Sequence, residues 1–327
     1  MPTKIKGTTG VDKIESGAVI TNPAFSGDAT VSGSLTIAGE TAATQNSLGV
    51  RNLIINGDMR IAQRGTSATG KTTASYYSID RMFNNIASAG TWTISQDTDV
   101  PTGQGFSNSL KYQCTTADAS LTGLVQLFQK IEGQNAIHLK YGTSNAKTTT
   151  FSFWVKSNKT GTYIYEVFQQ DAFRSISKLF TINSADTWEK KTIAIEGDTS
   201  GVINNDNGEG FRVTIWLAAG SDYTSGTLQT SWGTLTTANR AVGQVNLADS
   251  TSNYINITGV QLEVGDTATP FEQRPYDMEL RRCQRYFEHN YGTGYAIGSA
   301  KAYPNNVGCE INGFTTSNGQ KWYSVPY

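Results

Sequence analysis

The chain is poor in charge, proline and histidine. Of 327 residues, 16% are Asp, Glu, Lys or Arg, seven are proline and two are histidine. The charged fraction is well below the ~25% usual in soluble domains. It balances to a net charge of −1 with a pI near 6.2. That removes the electrostatic case for nucleic acid or an anionic membrane as the main partner. The three cysteines, Cys114, Cys283 and Cys309, are widely spaced and odd in number. They fit neither a disulfide framework nor a zinc site, and read as free thiols of a protein assembled in a reducing cytosol. No apolar run approaches the ~20 residues of a membrane span. Met1-Pro2-Thr3-Lys4-Ile5-Lys6 lacks the apolar core of a secretory signal, so membrane insertion is not expected. His138 and His289 stand in no triad setting, and no long repeat of the β-helix depolymerase kind is visible. The chain is therefore expected to be non-enzymatic.

What the chain has instead is Gly, Ser, Thr and Asn set between short apolar runs, the palette of strands and turns rather than of helices. Strand candidates recur at Leu53 to Ile61, Gly90 to Ile94, Ser109 to Cys114, Leu124 to Ile131 and Thr149 to Lys156. Further candidates are Gly161 to Phe168, Trp188 to Ile195, Phe211 to Ala218 and Tyr254 to Val264. Many short strands without amphipathic helices between them predict an antiparallel sandwich or barrel. Phe151, Phe153 and Val155 share one face of an inner strand, and Trp154 and Trp216 read as core. Residues 205–210 and 220–252 are long polar connections, where binding usually resides.

The two ends differ from this middle. Residues 1–50 contain no Trp or Tyr, and from Ala29 to Ile37 a stripe of Ala29, Val31, Gly33, Leu35 and Ile37 alternates with Thr and Ser. Such a strand buries too little to stand alone. Its apolar side needs another surface, the neighbouring domain or the same stripe of other copies of the chain; the expectation is the second, against a flexible arm with one ordered strand. Near the other end, Asp277 and Glu279 open a short helix, with Asp277 as its cap. Leu280, Cys283, Gln284 and Phe287 lie at helical spacing. Residues 291–327 return to β-type sequence, and so short a segment is expected to lean on other elements.

Several motifs carry a resemblance. They are Asn52-Leu53-Ile54-Ile55-Asn56-Gly57, Ile61-Ala62-Gln63-Arg64-Gly65, Tyr77-Ser78-Ile79-Asp80-Arg81 and Phe151-Ser152-Phe153-Trp154-Val155-Lys156. The set closes with Thr269-Pro270-Phe271-Glu272 running into Cys283-Gln284-Arg285-Tyr286. With these the chain resembles the jelly-roll, carbohydrate-binding-module-like domain of bacteriophage tail fibre and other virion appendage proteins. The resemblance implies a mostly β chain in three parts. Residues 1–50 would be an N-terminal β arm for attachment or oligomerisation, and 51–275 an antiparallel jelly-roll β-sandwich. Residues 276–327 would be a short helix and C-terminal β segment. It further implies a virion protein assembled in the host cytoplasm. Such a protein would form a homotrimer, attach to other virion proteins through the arm and contact host-surface polysaccharide. The alternatives in order are a capsid-decorating or tail-assembly protein making protein contacts only, then a glycan depolymerase.

The candidate ligand-binding residues are Trp232 and Tyr223, aromatics in the long polar connection that could stack on sugar rings; the competing role is to pin that loop. Jelly rolls of this kind often carry a structural calcium near their first and last strands, which would implicate Asp58 and Glu263. No other cofactor is expected. Asn204-Asn205-Asp206-Asn207-Gly208-Glu209 is rich in oxygen ligands but misses the EF-hand spacing, and reads as a solvated turn. Gly65-Thr66-Ser67-Ala68-Thr69-Gly70-Lys71-Thr72 matches a phosphate-binding loop by letter, yet a run of β-formers and polar residues follows where a helix would be needed to hold phosphate.

Overall fold

The computed structural model describes residues 51–288 and the backbone of Thr36–Ile37 and Glu40–Thr41. The chain divides into two compact units, residues 1–45 and 46–327. In the first, β1 (Thr36–Ile37) pairs antiparallel with β2 (Glu40–Thr41), Thr36 opposite Thr41. The rest of the expected Ala29 to Ile37 stripe lies outside the described residues. So do the segment 291–327, His289 and Cys309.

The second unit is an antiparallel β-sandwich of two six-stranded sheets, as expected. Sheet I runs β11 (Glu189–Ile195), β8 (Thr149–Ser157), β14 (Tyr254–Val264), β6 (Ser109–Thr116), β5 (Thr91–Asp97), β3 (Ser67–Lys71). Sheet II runs β13 (Gly233–Thr234), β10 (Arg174–Ile182), β9 (Gly161–Gln169), β12 (Glu209–Ala219), β7 (Leu124–Glu132), β4 (Phe83–Ala87). The chain crosses between the sheets at most turns, as a jelly roll does, and the core fills the space between them. Phe151 and Phe153 of β8 point inward with Val155. Phe151 stacks on Tyr165 of β9 at 4.3 Å, and Phe153 meets Phe180 of β10 edge-on at 5.2 Å. Trp92 is fully buried and donates from Nε1 to the Ala89 carbonyl at 2.7 Å.

Several local expectations need correction. Leu53 to Ile61 is not a strand. Asn52 Oδ1 accepts from Ile54 N at 2.9 Å, which turns the chain at once, and Asn56 and Met59 adopt positive φ. The segment still docks on β14: Leu53 N donates to Leu262 O at 2.9 Å and Val260 N to Gly57 O at 2.8 Å. The strands β3, β4, β10 and β13 were not expected. The matching phosphate-loop letters contain β3, an edge strand, and no helix follows it. Two four-residue helices, α1 (Gly133–Ala136) and α2 (Ser221–Thr224), follow β7 and β12; helix α3 (Tyr276–Gln284) forms as well, but Pro275 takes the cap position and Asp277 sits in the first turn without a side-chain cap bond. The helix stops before Phe287. Trp154 is half-buried rather than core.

Candidate functional site

Sheet II shows its second face to the outside, and alternation decides which side chains lie there. On β9, Tyr163, Tyr165 and Val167 enter the main core. Ile164 packs instead in a separate cluster with Leu124, Trp216 and Ala241. On β7 the outward set is Leu124, Gln126, Phe128 and Lys130; on β12 it is Arg212, Thr214 and Trp216. Cross-strand register aligns Phe83 with Phe128, Phe128 with Thr214, and Arg212 with Phe168.

The alignment builds a stripe of rings and guanidinium across four strands. Tyr76 meets Phe83 edge-on at 4.9 Å, and Phe83 stacks on Phe128 at 4.7 Å. The Arg212 guanidinium lies 4.7 Å from the Phe128 ring and 5.0 Å from that of Phe168. Phe168 then meets Phe173 at 5.5 Å, and Phe173 is exposed. Glu209 holds Arg212 in place, accepting from its Nε at 2.5 Å.

Beside the stripe lies a polar floor. Gln126 Oε1 accepts from Asn85 Nδ2 at 2.8 Å, yet Gln126 Nε2 and the Thr214 hydroxyl have no partner. Both atoms are buried, and unsatisfied buried polar groups are uncommon in native folds. The connection after β12 forms a wall over the middle of β9. Arg240 makes two bonds of 2.7 Å to the fully buried Glu166 carboxylate, and Arg240 covers Trp216 at 5.0 Å. Burial alone would lower the Arg240 pKa, but Glu166 more than offsets this and raises it. Arg240 therefore stays charged through the neutral range.

The two sequence-selected aromatics belong to different parts of this region. Tyr223, half-buried, packs on Trp216 at 5.3 Å in the outer cluster and so borders the floor. Trp232 donates from Nε1 to the Glu196 carbonyl at 2.7 Å, meets Tyr141 edge-on at 5.8 Å and packs on the main core. Each ring pins its loop. Phe83, Gln126, Phe128, Arg212 and Thr214 were not singled out in the sequence. Their alternation was legible in β7 and β12, but the side that faces outward depends on which sheet covers which.

Asp58 and Glu263, named for calcium, are both buried and both answered by arginine. Asp58 pairs with Arg60. Its desolvation raises its pKa despite that cation. Glu263 accepts from Thr269 N at 2.9 Å, Thr269 Oγ1 at 2.6 Å and Gln261 Nε2 at 2.8 Å, with Arg51 Nε at 3.7 Å. Among the described residues no group of three or more His, Cys, Asp and Glu gathers to hold a metal ion. The loop at 204–209 is tied down as a turn: Asp206 Oδ1 accepts from Gly208 N at 2.9 Å.

The resembling motifs also meet. Asn56 Nδ2 donates to the carbonyls of Ile61 (2.8 Å) and Asp80 (3.0 Å). Arg64 Nη1 reaches Asp80 Oδ1 at 3.2 Å. Arg274 Nη1 donates to Ile54 O at 3.0 Å and pairs with Glu279, which in turn accepts from Asn56 N. Ile55 and Ile61 bury Cys283 of α3, whose thiol pKa desolvation pushes well up. Next to this junction is a cavity of ≈ 310 Å³ between the Asn52–Ile55 segment, the end of β7 and α3.

No family model and no curated protein matches the sequence. Among solved structures the chain is similar to the enzymatically active domain of tailspike protein 4 of bacteriophage CBA120. There identity is 13% and the TM-score 0.34, over 65% of this chain and 21% of that one. It is also similar to TmCBM61, solved in complex with β-1,4-galactotriose, at 10% identity and TM-score 0.32 over 66% and 99% of the two chains. A third similar structure is the CBM22-1–GH10 part of Clostridium thermocellum xylanase 10B, complexed with xylohexaose. Identity there is 10% and the TM-score 0.32, over 60% and 29% of the two chains. The chain thus spans about a fifth of the tailspike chain it matches.

Proposed function

We propose that the protein is a non-enzymatic phage virion appendage, most simply a tail fibre, that contacts host-surface polysaccharide through the outer face of sheet II. One observation carries the reading: on that face the half-buried ring of Phe83 stacks on Phe128, with the half-buried Asn85 amide and Arg212 guanidinium beside them. A saccharide presents flat C–H faces to rings and hydroxyls to amides, so it would use both features together. The sequence motifs that resemble phage appendage proteins support the same reading. In this proposal each site is weak, and a homotrimer assembled through residues 1–50 multiplies it by effective concentration.

The test is retention of the full chain on host-derived polysaccharides, with Phe83→Ala and Asn85→Ala as variants. Each is expected to weaken binding about tenfold, roughly 1.4 kcal/mol, with the melting profile preserved. Unchanged retention in both variants would remove the outer face from the proposal. Release of reducing ends from any bound polysaccharide would return the protein to the enzymes. In the same preparation, the mass in solution is expected at three times the 35.3 kDa chain; a strict monomer at micromolar concentration would end the trimer.

A further inference from the structure

The cavity at the motif junction has an unusual charge balance. Arg81 is 6% exposed and lines it. Its one hydrogen bond runs from Nη2 to the Lys130 carbonyl at 2.6 Å, its planar face lies 3.4 Å from the Tyr286 ring, and its Nε–H has no partner. Arg282 of α3 also lines the cavity, half-buried, with a buried Nη1 that has no partner. Among the described residues neither arginine forms a salt bridge; Glu132 acts on Arg81, and Glu279 and Glu272 on Arg282, only at longer range. The acid on the wall, Glu132, is taken by Arg285 at 2.9–3.2 Å and by Gln134 at 2.6 Å. Lys130, the third cation, is occupied by Glu209 at 2.9 Å. Burial depresses the pKa of both Arg81 and Arg282, and neighbouring Arg274 adds to it for Arg282. Arg81 is also held at φ 71°, a left-handed conformation that costs a non-glycine residue energy and concentrates at functional positions.

A buried guanidinium without a paired anion, as Arg81 is, is unfavourable, and with the half-buried, unpaired Arg282 at the same cavity it favours an anion with a planar, forked acceptor. A volume of ≈ 310 Å³ is at the low end of small-molecule sites, the scale of one sugar unit rather than a chain. Asn52, Gln134 and Asn135 add amides, and Leu53, Ile55 and Ile131 add apolar surface. We propose that this cavity binds the carboxylate of an acidic sugar residue, of the uronic acid class. The carboxylate would lie against the free N–H groups of Arg81 and Arg282, and the amide oxygens of exposed Gln134 and Asn135, whose NH2 groups are held by Glu132, would accept from the ring hydroxyls. The sugar half of this assignment rests on the glycan-binding reading above; the carboxylate half stands on the cavity itself.

Calorimetric titration of the full chain with D-glucuronate and D-galacturonate tests it, against D-glucose, D-galactose and acetate, with neutral polysaccharide retention measured in parallel. Uronates are expected to bind at least about tenfold more tightly than the neutral sugars and acetate. Arg282→Gln is expected to abolish that preference. Because Arg282 is unpaired and near Arg274, the same substitution should leave the ligand-free melting temperature unchanged or higher. Arg81→Lys, which keeps the charge and loses the fork, should weaken uronate binding by a similar factor. Neutral sugars binding as well as uronates would overturn the carboxylate and leave the glycan reading standing. Acetate binding as well as uronates would reduce the cavity to an anion site and overturn the sugar. No uronate binding, with neutral polysaccharides still retained, would overturn the proposal alone, and loss of both would take the glycan reading with it. A fall in the melting temperature of Arg282→Gln with uronate binding unchanged would assign the residue a structural role and overturn the proposal.

Discussion

Asn52 concentrates more of the fold's economy than any apolar residue near it. It is buried, and its Oδ1 accepts from both Ile54 N (2.9 Å) and Leu262 N (3.0 Å), while Nδ2 donates to Val260 O at 3.2 Å. One amide thus imitates a strand partner for β14 and turns the incoming chain. Its own N–H goes to Glu272 Oε2 at 2.7 Å, which links the opening motif to the closing one. Removing the side chain leaves two buried backbone N–H groups unpaired, at about 1–3 kcal/mol each. Asn52→Ala is therefore expected to lower unfolding stability by about 2–5 kcal/mol, read as a shift in the urea midpoint at constant slope. The sequence showed Asn52 as the first letter of a motif. What the motif is for could not be read there, because every partner except Ile54 lies more than two hundred residues away.

At the scale of elements, the long regular strands were legible and the short or irregular ones were not. Tyr254 to Val264 was read with its observed bounds, and β8 and β9 differ from their expected ends by one residue. These are central strands whose inward faces are continuous. Strand β10 was missed although Ile176, Phe180 and Ile182 point into the core, because the charged Arg174 and Lys178 occupy the other two positions of the same parity. Strand β4 was missed because Asn84 and Asn85 read as turn residues. Asn84 is instead buried and accepts the Tyr112 hydroxyl at 2.5 Å. Leu53 to Ile61 failed in the opposite direction: a run of apolar residues suggested a strand where side-chain hydrogen bonds impose turns. Gly57 in that segment is where the backbones touch. A Cβ there would sit 2.0 Å from the Val260 carbonyl oxygen. Gly57→Ala should force the segment off β14 and cost on the order of 2–4 kcal/mol. Hydrogen exchange should show it as lost protection of Leu53 and Val260 amides, with the β9–β10 hairpin unaffected.

For the molecule as a whole, the paired carboxylates outnumber the frustrated one. Burial tends to raise Asp198, Glu132, Asp97, Asp99 and Glu189. Hydrogen bonds and cations more than offset it, Arg174 at Asp198 and Arg285 at Glu132 among them, and all five end below their ordinary values. Among the described residues Asp58 alone of the shifted carboxylates is raised. A lowered carboxylate pKa contributes stability that is present above its unfolded value, 3.8 for Asp and 4.5 for Glu, and is lost as pH falls through its folded value. Asp58 has the opposite sign, and its unfavourable contribution fades on acidification. These carboxylates predict a melting temperature that falls steeply below about pH 4, while the raised Cys283 thiol and buried tyrosines, ionised first in the unfolded chain, lower it again above about pH 9. A melting temperature that rises on acidification through about pH 4 would contradict it. Composition and period-two alternation by themselves determined a mostly β, weakly charged chain with its long strands and one short helix, because each of those features depends on neighbours within a few residues. The tertiary structure alone decided which side of sheet II is outside, that Gln126 and Thr214 lie unpartnered on it, and that Arg81 and Arg282 share a cavity. Those facts depend on contacts between residues far apart in the chain, and no local pattern encodes them.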